Sequence, residues 1–386
     1  MIDILKEVLA EQFGVTMSEV KFISSEIHTD GEIHGFEILN QHEPTFIYAQ
    51  VGSSEWSGDG YQIHLPEIDA WVRLWRFPND PYLHGLVMVG VKEALSELLK
   101  KLDSSATLQA VTNVAYRPGK RAVFQVRTNR EVLYAKVTSV TNAKRIIQLQ
   151  ESLPKTLLKP ELRGMAEGGI LFFTELEGSG FLGLEKIDMA NFLVQLNAVH
   201  RELAKIQVDT DVKRKVVTNL EWYVSIIQRQ INEPIAKQVS ALAARLTPLD
   251  LSGQREFIHG DLHLGQFKIQ KKGGLGVLDF DNAGMGYRVE DQASLLASAL
   301  FGYVANLESP HRTRYAGFLR FYCDELQRDV EPEPLQNLTI RHLVAYLASF
   351  PALVMKNQGE FARILAGIEN DENPLMLISS FAHEPM

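Results

Sequence analysis

Residues 257–266 have the sequence FIHGDLHLGQ, and residues 277–281 have the sequence VLDFD. In each segment an apolar run typical of a strand leads into acidic or amide side chains, so we expect two neighbouring loops. Phosphoryl transfer requires a carboxylate that orients the acceptor, an oxygen ligand for a metal on the same loop, and a second carboxylate on Mg²⁺. Asp261, Gln266 and Asp279 supply these groups in that order. The two segments therefore predict a phosphoryl-transfer site.

The first segment resembles the catalytic loop of kinase-fold enzymes, in which His-x-Asp is followed by an amide side chain. Asp279 stands where those enzymes have the metal-binding aspartate of their Asp-Phe-Gly motif. Glycine after the histidine, and Asp-x-Asp in place of Asp-Phe-Gly, are similar to the aminoglycoside phosphotransferase and choline kinase superfamily. The loop is most similar to that of maltokinase and related sugar kinases, where glutamine takes the usual asparagine position. The resemblance implies an α+β, protein-kinase-like two-lobe fold, with a small β-rich lobe and a large helical lobe.

The same resemblance implies a role for each polar residue of the two segments. Asp261 would accept or orient the proton of the acceptor hydroxyl, and His259 would be structural, tying the loop together. Gln266 and Asp279 would be Mg²⁺ ligands, and Asp281 would either bind metal or support the loop. The implied activity is ATP- and Mg²⁺-dependent transfer to a hydroxyl of a small molecule. A sugar or amino sugar is the acceptor most consistent with the maltokinase-like loop.

A lysine and a basic turn upstream indicate the nucleotide side of the site. Lys136 ends the third predicted strand, where kinase-fold enzymes keep the lysine that contacts the α and β phosphates. The turn at 116–121 has the sequence YRPGKR, and Arg117 and Lys120 in it are candidate phosphate ligands, although a simple hairpin explains them equally well. A buried ammonium is costly unless it is paired. Glu151, the acid in the following helical interval, is therefore the candidate partner of Lys136.

Two further assignments depend on the resemblance alone. The adenine would contact the backbone of residues 174–177, which gives Glu175 and Glu177 as nucleotide-binding candidates. The sequence LNAVH at 196–200 is similar to a helical pattern that packs under the catalytic loop in this superfamily. We interpret His200 as a structural core histidine. Residues after Ala283 would shape the acceptor pocket, and four of them are candidate wall residues: Tyr287, Arg288, Glu290 and Asp291.

The pattern of apolar residues predicts a strand-rich region followed by a helical one. Strands are expected at 108–116, 122–128, 131–138 and 170–176, with a helix at 142–152. Periodic helical segments follow at 189–206, 220–246, 293–308 and 314–327. The first hundred residues form a separate pattern, with a helix at 1–15, strands at 20–24, 33–39 and 45–51, and a helix at 86–102. We therefore divide the chain into an α+β module at 1–104, a kinase-like small lobe at 105–177 and a large helical lobe at 178–386.

The composition excludes some classes of partner. A chain of 386 residues with a net charge of −9 has no general affinity for nucleic acid or anionic membranes, which both require a positive surface. No apolar run reaches the roughly 18 residues that span a bilayer. The single cysteine, Cys323, cannot form an intramolecular disulfide and favours a reducing compartment. We expect a cytoplasmic protein that binds a nucleotide and a small-molecule acceptor, with its oligomeric state left open.

Two alternative functions use the same residues. A metal-dependent phosphoesterase could bind two metals through mixed nitrogen and oxygen ligands: His259, Asp261, His263, Asp279 and Asp281. A pseudokinase would bind nucleotide without turnover. The presence of Lys136 together with Asp261, Gln266 and Asp279 favours an active kinase over both alternatives.

Overall fold

The computed structural model describes residues 1–28, 30–39, 45–57, 61–184, 186–271 and 273–370, without the side chains of 327–329 and 370. The chain divides into two compact units. The first contains residues 1–148 and 160–175, and the second contains residues 149–159 and the described part of 176–386. The predicted divisions at 104 and 177 stay predictions, although the change of unit after Glu175 lies close to the second of them.

The first unit begins with a helix packed on an antiparallel sheet. Its elements are α1 Ile2–Phe13, β1 Val20–His28, β2 Gly31–Ile38, β3 Thr45–Gly52, β4 Tyr61–Leu65 and β5 Ala70–Arg76. The strand order is β1-β2-β3-β5-β4. Leu5 and Leu9 lie one turn apart on α1 and are buried against this sheet, and the helix ends at Gly14 in a left-handed conformation. The sequence pattern missed β4 and β5.

A second antiparallel sheet follows two short helices, α2 Leu86–Gly90 and α3 Lys92–Leu102. The sheet contains β6 Leu108–Arg117, β7 Arg121–Thr128, β8 Val132–Thr138, β9 Leu162–Ala166 and β10 Ile170–Thr174. The strand order is β6-β7-β8-β10-β9, and helix α4 Val140–Ser152 joins β8 to β9. The bounds of four strands and of α4 agree with the sequence pattern to within two residues. The order of three strands, a helix and two strands is that of a kinase small lobe, as predicted.

The two sheets of the first unit are joined by a buried carboxylate. The carboxylate of Asp80 accepts hydrogen bonds from the hydroxyl of Tyr116 at 2.7 Å and from the backbone N–H of Gly119 at 2.8 Å. Gly119 has a positive φ of 70°, and a Cβ there would lie 2.9 Å from Ile33 Cδ1. The turn between β6 and β7 is therefore held against the N-terminal sheet, and only glycine fits at its tip.

The second unit is mostly helical. Its helices are α5 Met189–Leu203, α6 Lys215–Thr218, α7 Leu220–Gln230, α8 Glu233–Arg245, α9 Arg288–Ala305, α10 His311–Asp329, α11 Pro332–Ser349, α12 Pro351–Lys356 and α13 Gln358–Asn370. The single helix predicted at 220–246 is two helices, because Pro234 has no N–H for a continuous ladder and starts α8 instead. Helices α11–α13 were not predicted.

Short strands carry the motif segments within the second unit. Strands β11 Ser179–Gly180, β13 Phe267–Ile269 and β14 Leu275–Val277 form one sheet in the order β11-β13-β14. Strands β12 Glu256–Ile258 and β15 Gly284–Gly286 form an antiparallel pair. A β-rich part followed by a helical part that carries the catalytic loop is the predicted α+β, protein-kinase-like fold. Among the described residues, no helix is long and apolar enough to cross a membrane.

Candidate active site

The first motif segment leaves β12 and turns sharply at Gly260. The antiparallel pair of β12 with β15 brings Ile258 opposite Gly284, so the first motif segment leaves this ladder and the second, which follows β14, leads into it. Gly260 has a φ of 78°, and a Cβ there would lie 2.4 Å from Val212 Cγ2 and 2.7 Å from the carbonyl oxygen of Asn282. The glycine that follows the histidine is therefore required by both its backbone conformation and the close approach of the second segment.

Asp291 anchors the start of the loop. Its carboxylate accepts the backbone N–H of His259 at 2.8 Å and that of Gly260 at 2.7 Å. Asp291 is fully buried in the first turn of α9, and burial raises the pKa of its carboxyl group to about 6. Two backbone donors favour the ionised form and oppose this rise. The loop is thus fixed to a helix that begins 29 residues after its own histidine, at Arg288.

The imidazole of His259 ties the two motif segments together. Its Nδ1 accepts the backbone N–H of Asp261 at 3.3 Å, so the proton lies on Nε2, which donates to the carbonyl oxygen of Leu278 at 2.7 Å. The ring is completely buried beside Phe280, with 4.8 Å between ring centroids. Both ring nitrogens are therefore used within the protein, and neither is left to bind a metal.

The candidate catalytic carboxylate is oriented by the residue that follows the Asp-Phe-Asp segment. Asn282 donates from Nδ2 to Oδ2 of Asp261 at 3.1 Å, and its own Oδ1 accepts from Lys215 Nζ at 2.9 Å. The described residues form no hydrogen bond with Oδ1 of Asp261. Lys215 thus orients Asn282, and Asn282 orients Asp261. The second carboxylate oxygen of Asp261 remains able to accept a hydrogen bond from a hydroxyl of a bound molecule.

The three candidate metal ligands lie on the turns that follow. Gln266 ends a short 3₁₀ turn and is buried, with 7% of its surface exposed, and its backbone oxygen accepts the N–H of Leu278 at 2.9 Å. Asp279 adopts a φ of 58°, in the left-handed region that non-glycine residues seldom occupy and that often marks functional sites. Asp281 is buried two residues later. Two carboxylates and a carboxamide oxygen are hard donors of the kind that Mg²⁺ prefers.

Helix α11 carries two side chains that lie near Asp261. His342 and Tyr346 stand one turn apart on it. Burial raises the pKa of the Tyr346 hydroxyl, and the nearby charge of Asp261 adds to that rise and opposes the effect of burial on His342. Burial is the stronger effect on His342 and lowers its pKa to about 4, so the imidazole is neutral at physiological pH. The ring of Tyr346 stacks on Phe301 at 5.5 Å between centroids. Sequence reasoning did not name this helix.

The predicted wall residues have structural partners instead. Glu290 forms a two-point ion pair with Arg214 at 2.7 and 2.9 Å, and Arg288 forms one with Glu256 at 2.7 and 3.2 Å. The first turn of α9 is therefore bonded to three segments: to Arg214 before α6, to Glu256 on β12, and through Asp291 to the backbone of His259 and Gly260. These partners hold the start of α9 in place, and the expectation that Arg288, Glu290 and Asp291 line an acceptor pocket stays a prediction.

On the nucleotide side, Lys136 lies on β8, the middle strand of the second sheet, and is buried with 8% of its surface exposed. Glu151 lies near the end of α4 and is exposed. An exposed carboxylate gives little compensation for burying an ammonium. The pairing of Lys136 with Glu151 stays a prediction that these positions do not favour.

Two of the three basic residues of the β6–β7 turn bind a carboxylate of the N-terminal sheet. Arg117 donates to both oxygens of Glu26 at 2.8 and 2.9 Å, and Lys120 Nζ donates to Glu26 Oε2 at 2.7 Å. Together these cations hold the pKa of the Glu26 carboxyl below its ordinary value, against the opposing effect of burial. Contact of Arg117 or Lys120 with phosphate stays a prediction, and it would require these ion pairs to open or to be shared.

The segment expected to meet adenine has part of its backbone already bonded. The N–H of Glu175 donates to the carbonyl of Val132 at 3.2 Å, and the carbonyl of Glu177 accepts from Gln270 Nε2 at 2.7 Å. The assignment of both residues stays a prediction.

His200 is buried on α5, as expected of a core histidine, and burial lowers the pKa of its imidazole to about 3. Its Nε2 nevertheless has no hydrogen-bond partner among the residues that the structure describes. The interpretation of His200 as a structural histidine stays, but its hydrogen bonding is incomplete.

The matching family model agrees with this geometry. A model described as the phosphotransferase enzyme family, APH, matches residues 148–352, which include both motif segments, α9 and all of α11. The chain belongs to the phosphotransferase enzyme family. It is therefore an enzyme of the small-molecule kinase type, and the predicted superfamily is confirmed. The closer resemblance of the loop to maltokinase stays a prediction.

Solved structures of family enzymes are similar to this chain at low identity. A thermostable mutant of aminoglycoside phosphotransferase APH(4)-Ia in apo form is 12% identical over 75% of this chain and 100% of its own, with a TM-score of 0.47. Spectinomycin phosphotransferase APH(9)-Ia in complex with ADP and spectinomycin is 14% identical over 76% and 98%, with a TM-score of 0.47. Amicoumacin kinase hAmiN in complex with AMP-PNP and Ca²⁺ is 17% identical over 76% and 97%, with a TM-score of 0.46. No curated protein matches the sequence.

Proposed function

We propose that this phosphotransferase moves the γ-phosphoryl group of ATP, with Mg²⁺, to a hydroxyl of a sugar or amino sugar. The observation that carries the proposal is the orientation of Asp261. One of its carboxylate oxygens accepts from Asn282, and the other has no partner among the described residues. A carboxylate held in this way can accept the hydrogen bond of an incoming hydroxyl and take its proton as the oxygen attacks phosphorus.

The loop around this carboxylate is rigid, which phosphoryl transfer requires because its catalysis depends on positioning more than on covalent chemistry. The two amides bound by Asp291 and the two-point bonding of His259 fix the backbone on both sides of Gly260. These bonds favour a single orientation of the backbone on which Asp261 is carried.

The donor set supports Mg²⁺. Gln266, Asp279 and Asp281 are the residues that would hold it, and when bound the ion would neutralise phosphate charge. ATP is the donor that the kinase-like order of elements and the buried Lys136 support.

The phosphoesterase alternative is not supported by the histidines. Both nitrogens of His259 are bonded inside the protein, and Nδ1 of His263 accepts the N–H of Gly265 at 3.1 Å. No group of three or more histidine, cysteine or acidic side chains within the described residues is arranged to hold a metal ion. His259 is therefore not available as a nitrogen ligand for a metal, which removes one of the five ligands of that alternative.

The test is an ADP-release assay with ATP and Mg²⁺ over a panel of neutral sugars, amino sugars, aminocyclitols, choline and homoserine. We expect acceptor-dependent ADP release with a sugar or amino sugar, and a phosphorylated product in equal amount. Asp261→Asn keeps the hydrogen bond from Asn282 but cannot take a proton, so turnover should fall by roughly 10² to 10⁴ while the melting temperature and nucleotide affinity stay near the parent values.

Three results would count against the proposal. Release of phosphate from esters without nucleotide would indicate a phosphoesterase, and nucleotide binding without turnover on any acceptor would indicate a pseudokinase. Near-normal turnover of Asp261→Asn would remove this carboxylate from the mechanism.

A further inference from the structure

The β6–β7 turn presents three groups that can bind an anion, and two carboxylates from the N-terminal part of the chain occupy all three. The side chains of Arg117 and Lys120 bond to Glu26 on β1. The backbone N–H of Gly119 bonds to Asp80 at 2.8 Å. A guanidinium, an ammonium and a backbone amide are the groups with which proteins bind phosphate oxygens. The turn therefore has the donors of a phosphate site, and internal carboxylates hold them.

The register of the second sheet places this turn beside Lys136. Lys136 lies opposite Val123 on β7. Arg121, at the end of the turn, lies opposite Thr138, two residues farther along β8, which is a distance of about 7 Å along a strand. The Thr138 hydroxyl also donates to the carbonyl oxygen of Lys120 at 3.3 Å. The turn and the lysine predicted to contact the nucleotide phosphates are thus neighbours within one sheet.

The contact of the turn with Glu26 is charged on both sides. Burial alone would raise the pKa of the Glu26 carboxyl, but the bonds from Arg117 and Lys120 hold that pKa below its ordinary value. Lowering the pH within the physiological range therefore does not open the contact. Among the residues that the structure describes, Glu26 is the one that Lys120 Nζ bonds, so two of the three ammonium donors remain for water or a ligand.

A chain of phosphates is a stronger ligand for these two cations than one carboxylate. It carries more charge and more acceptor oxygens, and both arginine and lysine bind phosphate through charge-assisted hydrogen bonds. A phosphate group and the Glu26 carboxylate would repel each other if both were bonded to Arg117 and Lys120. Binding of phosphate to the turn and pairing of the turn with Glu26 are therefore in competition.

We propose that Glu26 occupies the phosphate-binding side chains of the β6–β7 turn in the nucleotide-free protein, and that the phosphates of ATP displace it. The inference rests on the proposed function, in which ATP is the donor. Glu26 then lowers the affinity for nucleotide, because its ion pairs must open before Arg117 and Lys120 bind phosphate. Asp80, which is 4% exposed, stays bonded to Gly119 and keeps the turn in place.

Two ligands that share the nucleoside test the proposal: AMP-PNP, which carries a phosphate chain, and adenosine, which does not. Their Kd values for the full chain are measured by calorimetry with Mg²⁺ and without an acceptor. Glu26→Gln removes the charge and keeps the size of the side chain. It should bind AMP-PNP roughly three- to tenfold more tightly than the parent, because a partly buried two-point ion pair no longer has to open. Adenosine should bind both proteins equally.

The matched control is Glu37→Gln on the same sheet. Glu37 pairs with Lys21 at 3.3 Å, away from the turn, so this variant loses an ion pair of the N-terminal sheet without changing Arg117 or Lys120. It should bind both ligands like the parent. Melting temperatures of all variants are measured alongside, so that a change in the fold is recognised.

Lys120→Gln tests the phosphate contact without changing Glu26. It should weaken binding of AMP-PNP by about tenfold, through the loss of a charge-assisted hydrogen bond, and leave adenosine binding unchanged. In this background Glu26→Gln should give a smaller gain in affinity, because Glu26 then holds one cation fewer.

Unchanged or weaker binding of AMP-PNP by Glu26→Gln would overturn the proposal, and so would an equal change in the binding of adenosine. If Glu26→Gln does not fold, parent-like binding of AMP-PNP by Lys120→Gln overturns it independently. Failure of the parent to bind AMP-PNP would contradict the proposed function as well, which distinguishes the failure of that function from the failure of the competition alone.

Discussion

The carboxylate of Asp291 lies 2.8 Å from the backbone nitrogen of His259 and accepts its hydrogen. A second bond from Gly260 completes a two-point anchor, so an acid on α9 fixes the backbone on which Asp261 is presented. Asp291→Asn keeps one acceptor oxygen and replaces the other by an NH₂ group. The backbone N–H of either His259 or Gly260 then faces another donor. We expect turnover to fall by about 10², the effect of losing a preorganised polar group, and hydrogen exchange at Gly260 to accelerate. Asp324→Asn, exposed on α10, is the control and should behave as the parent.

The same residue predicts a pH dependence. Burial raises the pKa of Asp291 from its ordinary 3.8 to about 6, and the nearby carboxylate of Glu290 adds to the rise. The contribution of this group to stability is therefore complete below pH 3.8 and is lost as pH rises through about 6. Activity should instead rise with pH, because only the ionised Asp291 accepts hydrogen bonds from the backbone N–H groups of both His259 and Gly260. The rate profile should show an acid limb near pH 6 that Asp291→Asn lacks, and an identical limb in both proteins would contradict this assignment.

Lys215 donates a hydrogen bond to Asn282, which in turn donates one to Asp261, the carboxylate proposed as catalytic. Lys215→Met keeps the length of the side chain and removes the charge, so the amide of Asn282 loses the donor that fixes its orientation. Because Lys215 is exposed, the loss should be modest, a roughly three- to tenfold lower kcat with little change in KM for ATP. Lys215→Arg should recover part of the rate, and Lys237→Met, on the exposed face of α8, serves as the control. Equal kcat in the two methionine variants would exclude an orienting role.

Gln266 carries the metal prediction. Asparagine is one methylene shorter, and Mg²⁺ tolerates little departure from ligands at about 2.1 Å, so Gln266→Asn should raise the Mg²⁺ concentration needed for half-maximal rate. Gln266→Ala should be slower still, by about 10². The backbone bond from Leu278 to Gln266 is kept in both variants, so neither should unfold the loop. Rates are measured against free Mg²⁺, with Gln228→Ala on the exposed side of α7 as control. Identical metal dependence in all proteins would give Gln266 a packing role only.

The N-terminal module should be coupled to the β6–β7 turn through Asp80. Asp80→Asn replaces a buried acceptor of three hydrogen bonds, from Tyr82, Tyr116 and Gly119, by a side chain that can accept at one atom only. A loss of about 1–3 kcal/mol from the free energy of unfolding is expected, together with faster hydrogen exchange at 117–121. Asp69→Asn is the control, since its side chain is 97% exposed. Exchange in the turn that is unchanged by Asp80→Asn would show that the module does not hold it.

The sequence by itself determined the chemistry of the loop and the order of the elements around it. His259, Asp261 and Gln266 lie within one short segment, so their spacing is visible without any fold. The alternation of β6–β8 and the helical period of α4 and α5 are also local properties, which is why their bounds were predicted closely. Asn282 could have been noticed as the polar residue directly after Asp-Phe-Asp.

Only the tertiary structure decided which distant side chains support that loop. The bond from His259 to Asp291 spans 32 residues, that from Lys215 to Asn282 spans 67, and that from Arg117 to Glu26 spans 91. Acidic and basic residues are common throughout the chain, and no local pattern marks the one that a folded backbone brings within hydrogen-bond distance. The sequence alone therefore indicated no bond of Asp291 to the loop and none of Arg117 to Glu26, because a charged residue in a sequence shows what it can bind but not which residues lie beside it in the fold.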